Sequence, residues 1–90
     1  MDSKKFTIEF DPKEAKEFRK FYRNNPSLIP RISRAIDSLI LSPLQGKSLT
    51  GNKKGCYSLR EGDYRIIYEV YPTQGVVHII RIGHRREVYR

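Results

Sequence analysis

The sequence predicts an α+β domain of two layers, with a helix pair covering one face of an antiparallel sheet. Three observations predict it. Apolar residues recur at helical spacing from Asp11 to about Pro43, and at a spacing of two before and after that stretch. The two helical stretches are consecutive, parted only by "NNPSLIP". The last three alternating runs are joined by a few residues each, which suits only antiparallel neighbours. Ninety residues support one domain over 1–90 with one core and, by expectation, one site.

Each element follows in order. Lys5 to Phe10 alternates as a strand with Phe6, Ile8 and Phe10 on one face. "DPKEAKEFRKFY" opens a helix: Asp11 is placed to cap it, Pro12 sits where a missing N–H costs nothing, and Glu14 falls at the capping-box position. Ala15, Phe18 and Tyr22, with Phe21 alongside, form its apolar face, while Lys13, Lys16, Glu17 and Lys20 form a solvated one. "NNPSLIP" breaks this helix, and Ser27 is placed to cap a second, with Pro30 in its tolerant first turn. Leu28, Ile32, Ala35, Ile36 and Leu39 are its stripe, which ends by Pro43. Two such helices joined tightly read as an antiparallel hairpin. "LQGKSLTGNKKG", with three glycines and three lysines, reads as a loop that carries Lys47, Lys53 and Lys54. "CYSLRE", "DYRIIYEVY" and "VVHIIRIGH" then form a three-stranded meander, parted by Gly62 and by "PTQG". The ending "GHRREVYR" is too short for a further helix. One sheet face takes the helices and the other is left open.

Composition narrows the function classes. Hydrophobic residues at 38% and aromatics at 11% exclude a disordered tail, and no apolar run is long enough for a membrane span or a signal core. The single cysteine, Cys56, has no disulfide or CxxC partner in the chain, so a reducing, cytoplasmic setting is expected. The net charge of +8 is spread along the chain, with ten Lys/Arg against six acids up to Thr50 and eight against four after it. Such an excess favours nucleic acid, an anionic surface or an acidic partner.

The arrangement of the cations is more informative than their number. If Gly62 and Asp63 form the central turn, Arg60 lies directly opposite Arg65 and both point away from the face of Tyr64, Ile66 and Tyr68. If Glu61 and Gly62 form it instead, Arg60 pairs with Asp63 in an ordinary ion pair. Arg81 and Arg85 share the alternation of Val77 and Ile79, and if that parity faces the open side, Arg85 converges on Arg60 and Arg65. Several guanidiniums around one point suit a phosphate gaining charge in a transition state, and Tyr89 offers a ring for stacking a splayed base. His78 and His84 lack a third ligand at metal spacing, so neither a metal nor another cofactor is expected. No phosphate-binding glycine loop, nucleophile elbow or carboxylate pair is present, and Cys56 lacks an obvious histidine partner.

The blocks "LREGDYRIIYEV" and "GHRREVY", preceded by a strand and two helices, resemble the RelE/ParE superfamily of type II toxin–antitoxin toxins, the RelE-like branch in particular. The resemblance spans nearly the whole chain. It implies the two-layer RelE-like microbial RNase fold and a metal-independent endoribonuclease cutting mRNA in the ribosomal A site. The reaction that the resemblance implies is attack by the RNA's own 2′-hydroxyl on the adjacent phosphorus, leaving a 2′,3′-cyclic phosphate. By the same resemblance Arg65 holds the scissile phosphate with Arg60, Arg85 is the proton donor to the leaving oxygen, and Tyr89 stacks on or orients a base. Lys47, Lys53, Lys54, Arg81 and Arg86 are expected to line the RNA. The family lysine two positions before Arg60 is Ser58 here, so the general base passes to His84, Lys53 or Lys54. The implied partners are the ribosome with its mRNA and an acidic, partly helical, RelB-like antitoxin that forms a hetero-oligomer with an otherwise monomeric toxin; no membrane is involved. The competing readings are a ParE-like inhibitor of DNA gyrase without nuclease activity and an inactive binding module.

Overall fold

A computed structural model of the protein describes residues 5–49, 51 and 55–88. In chain order it contains β1 (Thr7–Phe10), α1 (Pro12–Asn24), a single 3-10 turn (Pro26–Leu28), α2 (Ile29–Ser38), β2 (Lys47–Ser48), β3 (Cys56–Glu61), β4 (Tyr64–Tyr71), β5 (Val76–His84) and a helical turn α3 (Arg85–Val88). The five strands form one sheet in the order β1-β5-β4-β3-β2. The predicted meander β3–β4–β5 is antiparallel throughout, and β1 joins it in parallel beside β5. Both helices cover one face. Leu28, Ile32, Ile36 and Leu39 from the α2 side meet Ile66, Tyr68, Val77, Ile79 and Ile82 of the sheet, with Phe18, Phe21 and Tyr22 of α1 packed against them.

Four local expectations are corrected. The predicted loop contains the edge strand β2, which pairs Lys47 with Ser58 and Ser48 with Tyr57. Gly46 permits it: its N–H donates to the hydroxyl of the fully buried Tyr68 at 3.0 Å, and a Cβ there would lie 2.6 Å from that hydroxyl. Ser27 does not cap α2, because it lies inside the 3-10 turn that leads into the helix. The ending is expected to be too short for a further helix, yet the helical turn α3 follows β5 directly.

The fourth correction concerns Glu14. Asp11 caps α1 as expected, its carboxylate accepting the N–H groups of Lys13 and Glu14. The return half of a capping box is missing, because the Asp11 N–H extends the ladder to Ile79 O at 3.0 Å. With the chain turning into α1 at Pro12, β5 has no strand neighbour on that side beyond Ile79. Glu14 reaches across instead, and its Oε2 accepts the Ile82 N–H at 3.2 Å. Burial raises the carboxyl's pKa above its usual 4.5, against the pull of the Ile82 N–H and of the Arg81 charge.

Between Val77 and Ile82 the β4–β5 ladder slips: Tyr68 faces Ile79 while Ile67 faces Arg81, so Ile80 is the extra residue of a bulge. Strict alternation would have put Arg81 on the side of the buried Val77 and Ile79. The bulge reverses the parity and sends Arg81 to the exposed face.

Candidate functional site

The two residues Gly62 and Asp63 close the β3–β4 hairpin, since Glu61 pairs with Tyr64. Gly62 has φ +60 and Asp63 does not have a positive φ, which is the type II′ pattern with glycine first. The register therefore puts Arg60 directly opposite Arg65, and alternation points both away from the helices. Like charges in that position oppose the sheet by some tenths of a kcal/mol, roughly 0.2–1. Among the described side chains, neither guanidinium has a carboxylate within ion-pair distance; the pairs found are Arg31–Glu61 and His78–Glu69.

Backbone carbonyls of the turn hold them instead. Arg60 Nε donates to Gly62 O at 3.4 Å, and Arg65 Nη1 donates to the same oxygen at 3.2 Å and to Tyr64 O at 3.0 Å. The neighbouring carbonyl, Asp63 O, accepts the backbone N–H of Arg85 at 2.8 Å. Arg60, Arg65 and the start of α3 thus converge on one two-residue turn. Arg85 reaches it by α3, not by the strand parity expected from Val77 and Ile79, which both face the core.

Edge strand β2 adds a cation. Lys47 faces Ser58 across the β2–β3 ladder, two residues from Arg60 on the same face, and Ser58 faces Ile67, which faces Arg81. The open face accordingly presents Lys47 and Arg81 flanking one row and Arg60 with Arg65 in the next. A cleft of about 510 Å3 is lined by Lys47, Ser58, Arg60 and Arg65, with Gln45, Gly46 and Leu59 completing its wall. No carboxylate or imidazole lines it among the described residues. Such a cleft can hold a phosphate by charge and planar donors.

His84 is placed elsewhere. It pairs with Tyr64 on the helix-facing side, its ring edge-on to the Tyr64 ring at 5.6 Å, and its Nδ1 accepts the Arg86 N–H at 3.2 Å. It lines, with Glu14, Phe21 and Arg81, a separate cleft of about 830 Å3 between α1 and β5. The arginines Arg60 and Arg65 therefore do not surround it. Arg86 is exposed beside it in α3. Lys53, Lys54 and Tyr89 lie outside the described residues. The role of the turn carbonyls carried no sequence signal beyond the glycine, because any residue supplies a carbonyl.

The sequence matches the family described as "ParE toxin of type II toxin-antitoxin system, parDE" over residues 8–89. It is 31% identical to Toxin RelG of Mycobacterium tuberculosis over 91 aligned residues, covering 94% of this chain and 97% of that protein. Toxin RelE of the same organism is 32% identical over 74 residues, 76% of each chain. The toxin–antitoxin complex RelBE2 of M. tuberculosis contains a chain that superposes with a TM-score of 0.76 at 25% identity, covering 96% of this chain and 98% of that one.

Proposed function

The chain belongs to the RelE/ParE superfamily of type II toxin–antitoxin toxins, and from that premise we propose that it is an endoribonuclease acting on mRNA in the ribosomal A site. The observation that carries this reading is the anchoring of the Arg60 and Arg65 guanidiniums on the carbonyls of the Gly62–Asp63 turn, to which the backbone N–H of Arg85 is also tied. Guanidiniums held by backbone carbonyls are already oriented when a phosphate arrives, so little ordering remains to oppose binding.

In this reading Arg60 and Arg65 bind the non-bridging oxygens of the scissile phosphate, with Lys47 and Arg81 on the flanking phosphates. The 2′-hydroxyl of the preceding nucleotide attacks phosphorus, the bond to the 5′-oxygen breaks, and Arg85 supplies the proton that oxygen takes. The products are a 2′,3′-cyclic phosphate and a 5′-hydroxyl. Tyr89 stacks on a neighbouring base. The described cleft holds no proton acceptor active at neutral pH, and the Nδ1 of His84 is engaged by Arg86 on the other side of the sheet. In this reading positioning and charge stabilisation supply most of the rate, and the general base remains among Lys53, Lys54 and His84.

Several solved relatives are toxin–antitoxin complexes. A cognate antitoxin with an acidic segment over the arginine cluster fits a +8 chain. Its association rate should fall as salt rises, and a rate indifferent to salt would mean that apolar surface carries the contact. A ParE-like inhibitor of DNA gyrase is the second reading, favoured by the match to a family described as a ParE toxin. Mapping mRNA 5′ ends on programmed ribosomes, with and without the protein and beside a gyrase supercoiling assay, separates the two. New 5′-hydroxyl ends within A-site codons support the nuclease. Blocked supercoiling with intact message would replace it.

A further inference from the structure

Arg31 of α2 reaches the arginine-bearing turn. Arg31 Nε lies 3.2 Å from Glu61 Oε2, in the residue that precedes the turn. The same guanidinium overlies Gly62, where a Cβ would fall 2.5 Å from Nη2. Among the described residues this is the ion pair that ties the hairpin to the helical layer, the other being within the sheet. Arg31 itself is firmly based, because the adjacent Ile32 is fully buried and Ile36, one turn on, is buried with it.

We propose that Arg31 is a positioning residue for the arginine cluster: it pins the Glu61–Gly62 peptide so that Gly62 O holds Arg60 and Arg65, and Asp63 O holds the start of α3, in one arrangement. The proposal rests on the nuclease reading for its kinetic consequence but not for its structural one. The pair is exposed at 48% and 32% of its two side chains, so it adds little to stability. Its effect is geometric. The two like charges held on the turn's carbonyl repel each other across it, and a helix-mounted guanidinium ties the turn to the helical layer. Arg31 comes from the helical layer whereas Arg60 and Arg65 point to the open face, so it acts through the turn.

The test uses the full chain with Arg31→Ala, Glu61→Ala and the charge swap Arg31→Glu/Glu61→Arg. The Nε–Hε signals of Arg60 and Arg65 in nuclear magnetic resonance should exchange faster with water in both single variants and return towards wild type in the swap. On programmed ribosomes each single variant should lose about three- to fivefold in single-turnover rate, the most that an exposed pair supplies, with half-saturation within about twofold. The swap should recover to within about twofold. Unaltered Arg60 and Arg65 signals in Arg31→Ala overturn the proposal whether or not the chain cuts RNA. A loss confined to half-saturation and not rescued by the swap also overturns it, by making Arg31 a direct phosphate contact. Responsive signals in a wild-type chain that cuts no message would leave the positioning intact and remove the nuclease reading instead.

Discussion

Replacing Arg65 with alanine separates folding from function, because its side chain is anchored to carbonyls and packs no core. The variant loses two donations, to Gly62 O and Tyr64 O. Water can replace them at this partly exposed site, so each is worth about 1 kcal/mol net. Removing the charge opposite Arg60 returns roughly 0.2–1 kcal/mol. The net loss of about 1–2 kcal/mol is a modest share of a typical domain stability of roughly 5–15 kcal/mol. The catalytic loss should be larger. A preorganised group that meets charge developing in the transition state is worth about 10²–10³ in rate, or about 2.7–4 kcal/mol. Arg65→Ala should therefore keep its circular dichroism and a cooperative melt while single-turnover cleavage on programmed ribosomes falls at least a hundredfold, on the order of that range. Arg65→Lys should fall between, since it keeps the charge and loses the planar fork. A folded Arg65→Ala that still cleaves within about tenfold of wild type would refute the assignment of Arg65 to the phosphate.

Three further outcomes are expected. Gly46→Ala puts a methyl 2.6 Å from the hydroxyl of a tyrosine with no room to move, so it should cost roughly 1–3 kcal/mol, and Tyr68→Phe in that background should recover part of it; an unchanged melting temperature for Gly46→Ala alone counts against the packing. Glu14 has a folded pKa above its unfolded value, so the folded state holds that proton more readily and stability attributable to Glu14 declines as pH rises from about 4.5 through the raised pKa. Glu14→Gln keeps an acceptor for the Ile82 N–H and removes this titration, so in urea unfolding at roughly pH 4 and pH 7 its stability should change more favourably towards the higher pH than that of wild type; an identical change contradicts the burial of this carboxyl. Tyr89→Ala should lose about 1–3 kcal/mol of base stacking while Tyr89→Phe keeps it, and equal loss of cleavage in the two would bring the hydroxyl into the proton transfer.

Much of this protein is local, and what is local was readable in the order of its residues. The alternating runs mark β3 and β5 with the bounds that the structure has, Cys56–Glu61 and Val76–His84. Asp11 and Pro12 start α1, and Gly62 before Asp63 sets the turn that makes Arg60 face Arg65. Each of these follows from dihedral preference and side-chain period over a few residues. The family blocks "LREGDYRIIYEV" and "GHRREVY" lie in the same short stretches, which is why membership could be read there too.

Tertiary structure decided what depends on residues far apart in the chain. The bulge at Ile80 sets the face of Arg81, and it falls where the pairing of β5 with β1 ends, at Ile79. Glu14 serves Ile82, 68 positions away, only because the chain leaves the sheet at Pro12 and exposes a β5 N–H. β2 forms because Tyr68 offers its hydroxyl to Gly46, and that pairing puts Lys47 beside Ser58. His84 falls on the helix side, and Arg31 meets Glu61 across 30 positions. Side-chain period names a face only while the ladder stays regular, and a helix pattern names a buried stripe without saying which strand lies beneath it. Those long-range relations bring Lys47 and Arg81 to the sheet face on which the local turn has already set Arg60 opposite Arg65.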